Sequence, residues 1–96
     1  MNYLIFDKIS NSAVQEKFEK IKSLFQGLLN DRSIPRDVKR VIQKGIDLIK
    51  ESKDDVKNIT SNIISLINEI SLDNNLPYHG RSTINRCLTI LKTLND

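Results

Sequence analysis

Residues 31–39 read "DRSIPRDVK" and residues 73–81 read "DNNLPYHGR". Both stretches begin with Asp, carry an aliphatic residue and Pro at the same places, and end on a basic residue, with the two prolines 42 positions apart. Proline fixes its own φ and has no amide hydrogen, so it suits the first turn of a helix and disrupts the interior. Pro35 and Pro77 therefore each predict the start of a helix. Asp31 and Asp73 are expected to turn the chain before it by accepting bonds from nearby backbone amides.

Apolar residues recur at helical spacing on both sides of each turn. Steps of three and four positions predict four amphipathic helices, and no stretch alternates with a period of two as a strand would. Ser12 and Gln15 fit a capping box, which places the start of the first helix near Ala13, while Ser52 and Asp55 are candidate caps for the third. The four apolar series are Val14, Phe18, Ile21, Phe25, Leu28; Val38, Val41, Ile42, Gly45, Leu48, Ile49; Val56, Ile59, Ile63, Leu66, Ile67, Ile70; and Ile84, Cys87, Leu88, Leu91, Leu94.

The similarity between the two halves extends beyond the turns. At the same offset of 42, Val14 matches Val56, Ile21 matches Ile63, Leu24 matches Leu66 and Lys44 matches Arg86. We interpret this as one αα-hairpin that occurs twice. The period falls in the HEAT and armadillo range, but a solenoid needs about three or more units. The prediction is an all-α, antiparallel four-helix bundle built from two repeated αα-hairpins, with an open HEAT-like array as the alternative.

Composition limits the class of protein. The 96 residues suffice for one domain, here residues 1–96, with residues 1–11 as an apolar N-terminal extension. Fourteen Ile and ten Asn against one Ala mean that packing, more than helix propensity, must hold the helices. Apolar runs are too short for a membrane span, and the start lacks the features of a secretory signal, so a cytoplasmic protein is expected.

The cysteine and histidine counts argue against several kinds of site. A single cysteine, Cys87, excludes an intramolecular disulfide and a thiolate cluster, and a single histidine, His79, gives little basis for a metal site. We expect no metal and no cofactor. Because Cys87 lies in the apolar series of the fourth helix, we interpret it as a buried hydrophobic residue rather than a nucleophile. No glycine-rich phosphate loop or paired-histidine motif is present.

The segments "NDRSIPRDVKR" and "LDNNLPYHGRSTI" resemble those of a family of short archaeal proteins, uncharacterised protein family 0147. The resemblance covers roughly residues 14–94 and depends on the two Asp-x-x-aliphatic-Pro turns at fixed spacing, with Arg40 after the first and His79 and Arg81 after the second. It implies an all-α four-helix fold. The family has no assigned activity to transfer. Gly80 departs from the pattern, where Ala is expected, and implies a looser first turn of the last helix.

Three sets of residues are candidates for function. The first is an apolar contact surface that either extends the first helix or packs across the bundle or onto a second copy. The second is a basic cluster, part of which recurs every four residues on one side of the second helix. The third is an anion site at the start of the fourth helix. In order, these are Tyr3, Leu4, Ile5 and Phe6; Arg32, Arg36, Lys39, Arg40 and Lys44; and His79 with Arg81.

Each candidate has an ordinary structural alternative. The basic cluster could bind the phosphates of RNA, but Asp37, Asp47 and Glu51 interrupt or follow it and no exposed aromatic residue is interleaved, which favours a solvated face. His79 could instead pack over its turn and bond a backbone carbonyl or Asp73. We predict a non-enzymatic module for protein interaction or assembly that forms a homo-oligomer or binds a protein partner, with an RNA- or ribosome-associated protein as the alternative.

Overall fold

The computed structural model describes the backbone of residues 2–95 and the side chains of residues 13–94. The backbone forms four helices: α1 (Asn2–Leu29), α2 (Arg36–Glu51), α3 (Val56–Ser71) and α4 (Tyr78–Asn95). In this part of the chain there is no strand. The predicted all-α class is confirmed.

The helices close into an antiparallel four-helix bundle. Each helix packs on the next one in the sequence, and α1 also packs on α4, which closes the ring. Short connections between consecutive helices require them to run antiparallel. The contact between α1 and α4 selects the bundle over the open array, because an open array would leave its first and last helices apart. In this arrangement the α1–α2 and α3–α4 turns lie at one end, and the α2–α3 connection lies at the other.

Aliphatic side chains from all four helices fill the centre of the bundle. The predicted series supplies most of the core, whereas Ile46 and Thr60 are buried residues that the periodicity did not single out. Ile34 and Leu76, the aliphatic residues of the two turns, are also buried and close the bundle at the turn end. The buried apolar residues are Phe18, Ile21, Phe25, Leu28, Ile34, Val38, Ile42, Ile46, Ile59, Ile63, Ile67, Ile70, Leu76, Ile84, Cys87 and Leu91.

Both prolines lie at helix starts, as predicted. α2 begins directly after Pro35 and α4 directly after Pro77. The proline carbonyls accept from the Lys39 and Arg81 amides at 3.0 Å in each case, so they begin the hydrogen-bond series of the two helices. The absent proline amide costs nothing at this place, because the first amides of a helix have no intrahelical partner.

The other helix starts were predicted with mixed success. The start of α1 near Ala13 is wrong, because the helix begins at Asn2. α3 is capped by Asp55, whose side chain accepts from the Asn58 amide, while Ser52 instead accepts from the Asp54 amide one turn earlier. Ser12 did not mark a helix start, because serine is a common cap residue that can also lie inside a helix when the residues before it are helical.

The two turns have the same hydrogen-bond pattern. In the first, the Asp31 amide donates to Leu28 at 3.1 Å and the Ile34 amide donates to Asp31 at 3.3 Å. The corresponding bonds of the second turn, from Asp73 to Ile70 and from Leu76 to Asp73, measure 3.0 and 3.3 Å. The turns therefore correspond at the offset of 42 in structure as well as in sequence. Duplication of the whole hairpin stays a prediction.

Gly80 allows the two turns to pack closely. A Cβ at this position would lie 2.9 Å from Ile34 Cδ1, in the first turn, and 2.9 Å from Leu76 Cδ1, in the second. Gly80 is itself buried. Glycine at this position therefore leaves room for tight packing between the turns. We expected a looser start of α4, but the surroundings of Gly80 are tightly packed.

Candidate functional site

A polar cluster joins the two turns at their shared end of the bundle. His79 Nε2, in the first turn of α4, lies 2.8 Å from Asp31 Oδ2 and 3.0 Å from Ser33 Oγ. Ser33 in turn donates from its hydroxyl to Asp31 Oδ1 at 2.6 Å and from its amide to the same oxygen at 2.8 Å. A carboxylate only accepts hydrogen bonds, so Nε2 donates to Asp31 in this arrangement. The cluster links residues 46 and 48 positions apart.

These contacts correct the prediction for His79. Its partner is Asp31 of the other turn, not Asp73 or a backbone carbonyl. Bonds from the Ser33 side chain and amide, together with the bond from His79, lower the pKa of Asp31 to about 2. Sequence spacing could not show the pairing. It follows only when an up-down-up-down bundle places both turns at the same end.

Ser33, His79 and Asp31 have the composition of a catalytic triad but not its geometry. In a triad the imidazole uses one nitrogen for the nucleophile and the other for the carboxylate. Here the serine hydroxyl oxygen and a carboxylate oxygen of Asp31 both lie within hydrogen-bond distance of the same nitrogen, Nε2. The serine hydroxyl also donates its proton to Asp31. The histidine therefore has no arrangement for taking the serine proton. The cluster acts as a cross-link between turns.

Arg81 is engaged by the second turn. Its Nη1 donates to the Ser71 carbonyl at 3.0 Å and its Nη2 donates to the Asp73 carbonyl at 2.7 Å. These are carbonyls near the end of α3, where a cation also interacts favourably with the helix dipole. His79 bonds Asp31 of the first turn, whereas Arg81 bonds carbonyls of the second turn. The two residues of the predicted anion site therefore contact different turns. An anion site formed by these two residues stays a prediction.

The basic cluster lies on and before α2. Arg32, Arg36, Arg40 and Lys44 are exposed and Lys39 is half-buried. Arg40 and Lys44 border a groove of about 240 Å³ between α2 and α3, which is also lined by acidic residues. Those acids are Asp37, Glu69 and Asp73. Opposite charges in the same groove weaken the attraction of this face for a polyanion. Nucleic-acid binding by these five residues stays a prediction.

The outer face of α4 forms a second groove that the sequence patterns did not single out. Tyr78 begins this face and is 86% exposed. The groove has a volume of about 350 Å³. Its lining consists of Tyr78, Arg81, Ser82, Asn85, Arg86 and Thr89. The helical spacing of these residues was visible in the sequence, but their exposure depends on which side of α4 faces the bundle.

Cys87 is fully buried on the inner side of α4. Burial raises the pKa of its thiol to about 12. The thiol therefore stays protonated and inaccessible at neutral pH, which agrees with its interpretation as a core residue. Within the described residues, no group of three or more His, Cys, Asp and Glu side chains is arranged as metal ligands would be. None of the helices described here has both the length and the apolarity to cross a bilayer.

The predicted contact surface Tyr3, Leu4, Ile5 and Phe6 belongs to the first turns of α1. The side chains of these residues lie outside the described part of the structure, so the surface stays a prediction. The backbone result is that α1 has 28 residues, against 16 in α2, 16 in α3 and 18 in α4.

Comparison with known proteins identifies relatives in several archaea. The chain is 26% identical over 81 residues to a UPF0147 protein of Methanothermobacter thermautotrophicus. The aligned region covers 84% of this chain and 79% of the relative. It is 28% identical over 80 residues to one of Aeropyrum pernix, covering 83% and 88% of the two chains. A relative from Sulfurisphaera tokodaii is 29% identical over 82 residues, covering 85% and 92%. No solved structure matches the chain.

A family model described as "Uncharacterised protein family (UPF0147)" matches residues 6–94. The match begins before residue 14, where the resemblance noted in the sequence was expected to start. It therefore includes part of the N-terminal extension as well as both turns. This chain belongs to the uncharacterised protein family UPF0147.

Proposed function

We propose that the protein is a non-enzymatic helical assembly module that pairs with a second copy of itself through the N-terminal part of α1. The single observation that carries this proposal is the excess length of α1, which has 28 residues against 16 to 18 in the other helices. The buried thiol and the geometry of the Ser33–His79–Asp31 cluster support a role without catalysis, because neither offers an activated nucleophile.

The extra length of α1 lies at the end of the bundle opposite the two turns. Val14 and Phe18 of α1 share a groove with Ile49, near the end of α2, and Val56, at the start of α3. The helical residues before Val14 therefore continue beyond the level at which α2 ends and α3 begins. The protein is 50 Å long, whereas a helix of 16 residues spans only about 24 Å.

We call the residues of α1 before Val14 the overhang. Its composition favours pairing with the overhang of a second copy. Four consecutive apolar residues, Tyr3–Phe6, belong to this segment. Most of its residues are mediocre helix formers, so packing on a partner would stabilise this part of the helix. Asp7 and Lys8 balance in charge, so two copies would not repel each other. Pairing of two overhangs would bury apolar surface and stabilise both helices.

Sedimentation velocity over a range of concentrations tests the proposal. The full chain should form a dimer, and the double variant Leu4→Glu with Ile5→Glu should be a monomer at the same concentrations. Gln43→Glu, an exposed change on α2, is the matched control and should dimerise like the parent. Circular dichroism must show that the helical bundle is retained. A full chain that is monomeric at high concentration, or a double variant that dimerises normally, would refute the proposal.

A further inference from the structure

We propose that the outer groove of α4 binds single-stranded RNA, with the ring of Tyr78 stacking on a base and Arg86 contacting a phosphate. This inference is independent of self-association, since it concerns a different helix. It also differs from the prediction for the basic cluster of α2.

The first step concerns Tyr78. The side chain is 86% exposed, and among the described residues only Leu72 is another large hydrophobic residue with comparable exposure. Its ring therefore contributes little to the core. The residue follows Pro77 directly, and the Arg81 amide bonds the Pro77 carbonyl at 3.0 Å, so its backbone is held in a helix start. A solvent-facing aromatic ring on a well-held backbone is the kind of platform on which single-stranded bases stack.

The second step concerns charge. The α4 groove contains two arginines, and none of its described lining residues is an Asp or Glu. The groove beside α2 instead combines Arg40 and Lys44 with three acidic residues. Arg81 is held in place by its two carbonyl partners, which satisfy hydrogen bonds without neutralising its charge. The described lining of the α4 groove therefore carries positive charge and no acidic side chain, which complements phosphate.

The third step concerns the other lining residues. Ser82 and Asn85 carry uncharged groups that both donate and accept hydrogen bonds, as the ribose 2′-hydroxyl does. Thr89 donates to the Asn85 carbonyl at 3.0 Å, which leaves its oxygen to accept. The volume of about 350 Å³ is near the lower end of the range for ligand clefts, roughly 300–1,000 Å³. Aromatic, cationic and neutral polar groups in one groove match the base, phosphate and sugar of a nucleotide.

The strand must be single because a duplex keeps the faces of its bases stacked inside. An acidic peptide would satisfy the arginines but would leave the tyrosine ring without a planar partner. A membrane surface would also satisfy the arginines, but the groove offers only one large apolar side chain for insertion. Single-stranded RNA is the ligand that uses all three kinds of group.

Fluorescence anisotropy with a labelled, unstructured RNA of about 12 nucleotides tests the proposal. Tyr78→Ala should weaken binding by about fivefold or more, since stacking is lost, and Tyr78→Phe should retain the parent affinity. Arg86→Gln should weaken binding and reduce the slope of log affinity against log salt by about one. Arg40→Gln, on α2, should bind like the parent.

Several outcomes would overturn the assignment. They are a parent protein that does not bind, a Tyr78→Ala variant with full affinity, and an Arg40→Gln variant as weak as Arg86→Gln. Equal or tighter binding of the same sequence as DNA, of an RNA duplex, or of anionic phosphatidylglycerol vesicles would also overturn it. Tyr78, Arg40 and Arg86 are exposed, so melting curves should show an intact fold. RNA binding should survive the Leu4→Glu, Ile5→Glu double change, which separates this result from the test of self-association.

Discussion

At the scale of single residues, the size of one side chain controls how closely two helices approach. A Cβ on Gly45 would lie 2.9 Å from Cε2 of Phe25, and Phe25 is buried. The large ring on α1 therefore packs against bare backbone on α2. At the offset of 42, the corresponding pair is Ile67 and Cys87, both fully buried. Ile67 is smaller than Phe25, and Cys87 is larger than Gly45. The summed side-chain volume of the two pairs is therefore similar.

Gly27→Ala should stabilise the protein. The position is exposed within α1, and a Cβ there would meet no atom of the described residues within 4 Å. Glycine inside a helix costs roughly 0.5–1 kcal/mol relative to alanine, because it loses more backbone entropy on folding. The free energy of unfolding from urea titration should rise by about that amount. Gly45→Ala is the control and should lower it, because the new methyl group would overlap Phe25. A loss of stability in Gly27→Ala would contradict the prediction.

Thr60→Val should also stabilise the protein. The Thr60 side chain is fully buried in α3, and its hydroxyl has no hydrogen-bond partner among the described residues. Leaving a buried hydroxyl unsatisfied costs about 1–3 kcal/mol, and valine has nearly the same shape. We expect a rise of about 1 kcal/mol or more in the free energy of unfolding. The matched control, Thr83→Val, removes a hydroxyl that donates to the His79 carbonyl at 3.1 Å, and it should not stabilise. A destabilised Thr60→Val would indicate a partner for the hydroxyl.

At the scale of elements, two turns with the same backbone use different side chains. The position that matches His79 in the first half is Asp37. The reciprocal contact would therefore bring Asp37 to Asp73, and these two carboxylates do share a groove with Arg40 and Lys44. Like charges cannot replace the bond between histidine and Asp31. The second turn is instead held by Arg81, which donates to two of its carbonyls.

Asp31→Asn should reduce stability in a manner that depends on pH. Folding lowers the pKa of Asp31 from 3.8 to about 2, so between these values the unfolded chain binds more protons than the folded one. The contribution of the carboxylate is fully present above about pH 4 and is lost as the pH falls towards 2. The difference in urea midpoint between parent and variant should be largest near neutral pH and should vanish at low pH.

The control for this prediction is Asp73→Asn. Asp73 makes the corresponding turn bond, accepting from the Asn75 amide at 2.8 Å, but its carboxylate has no histidine partner among the described contacts. Its effect should change less with pH than that of Asp31→Asn. A difference between parent and Asp31→Asn that stays constant from neutral to low pH would show that the Asp31 charge does not contribute.

At the scale of the whole molecule, stability depends on one shared core. Ile67→Ala should cost roughly 2–5 kcal/mol, because Ile67 is fully buried in α3 and the bundle around it can collapse only partly into the cavity. That is a large share of the total free energy of unfolding of so small a domain. Ile64→Ala, a half-buried position on the same helix, is the control and should cost less. Thermal melting followed by circular dichroism measures both. Equal melting temperatures for the parent and Ile67→Ala would place this residue outside the core.

The sequence by itself determined the elements. Proline can occupy only the first turn of a helix without loss, and a core side chain must recur every three or four residues, so local chemistry predicted the starts of α2 and α4 and most of the core. It did not predict the start of α1, because Ser12 can either cap a helix or lie within one. The length and periodicity also favoured a closed bundle over an open array.

Only the tertiary structure decided which distant groups meet. His79 reached Asp31 and Ser33, and Tyr78 became exposed in the same groove as Arg86, because helix packing sets the side of α4 that faces inward and brings both turns to one end. A pattern along the chain records which residues share a face, but it does not record which face another helix will cover. The candidate site depends on that choice, since burial and pairing change the charge and accessibility of each side chain.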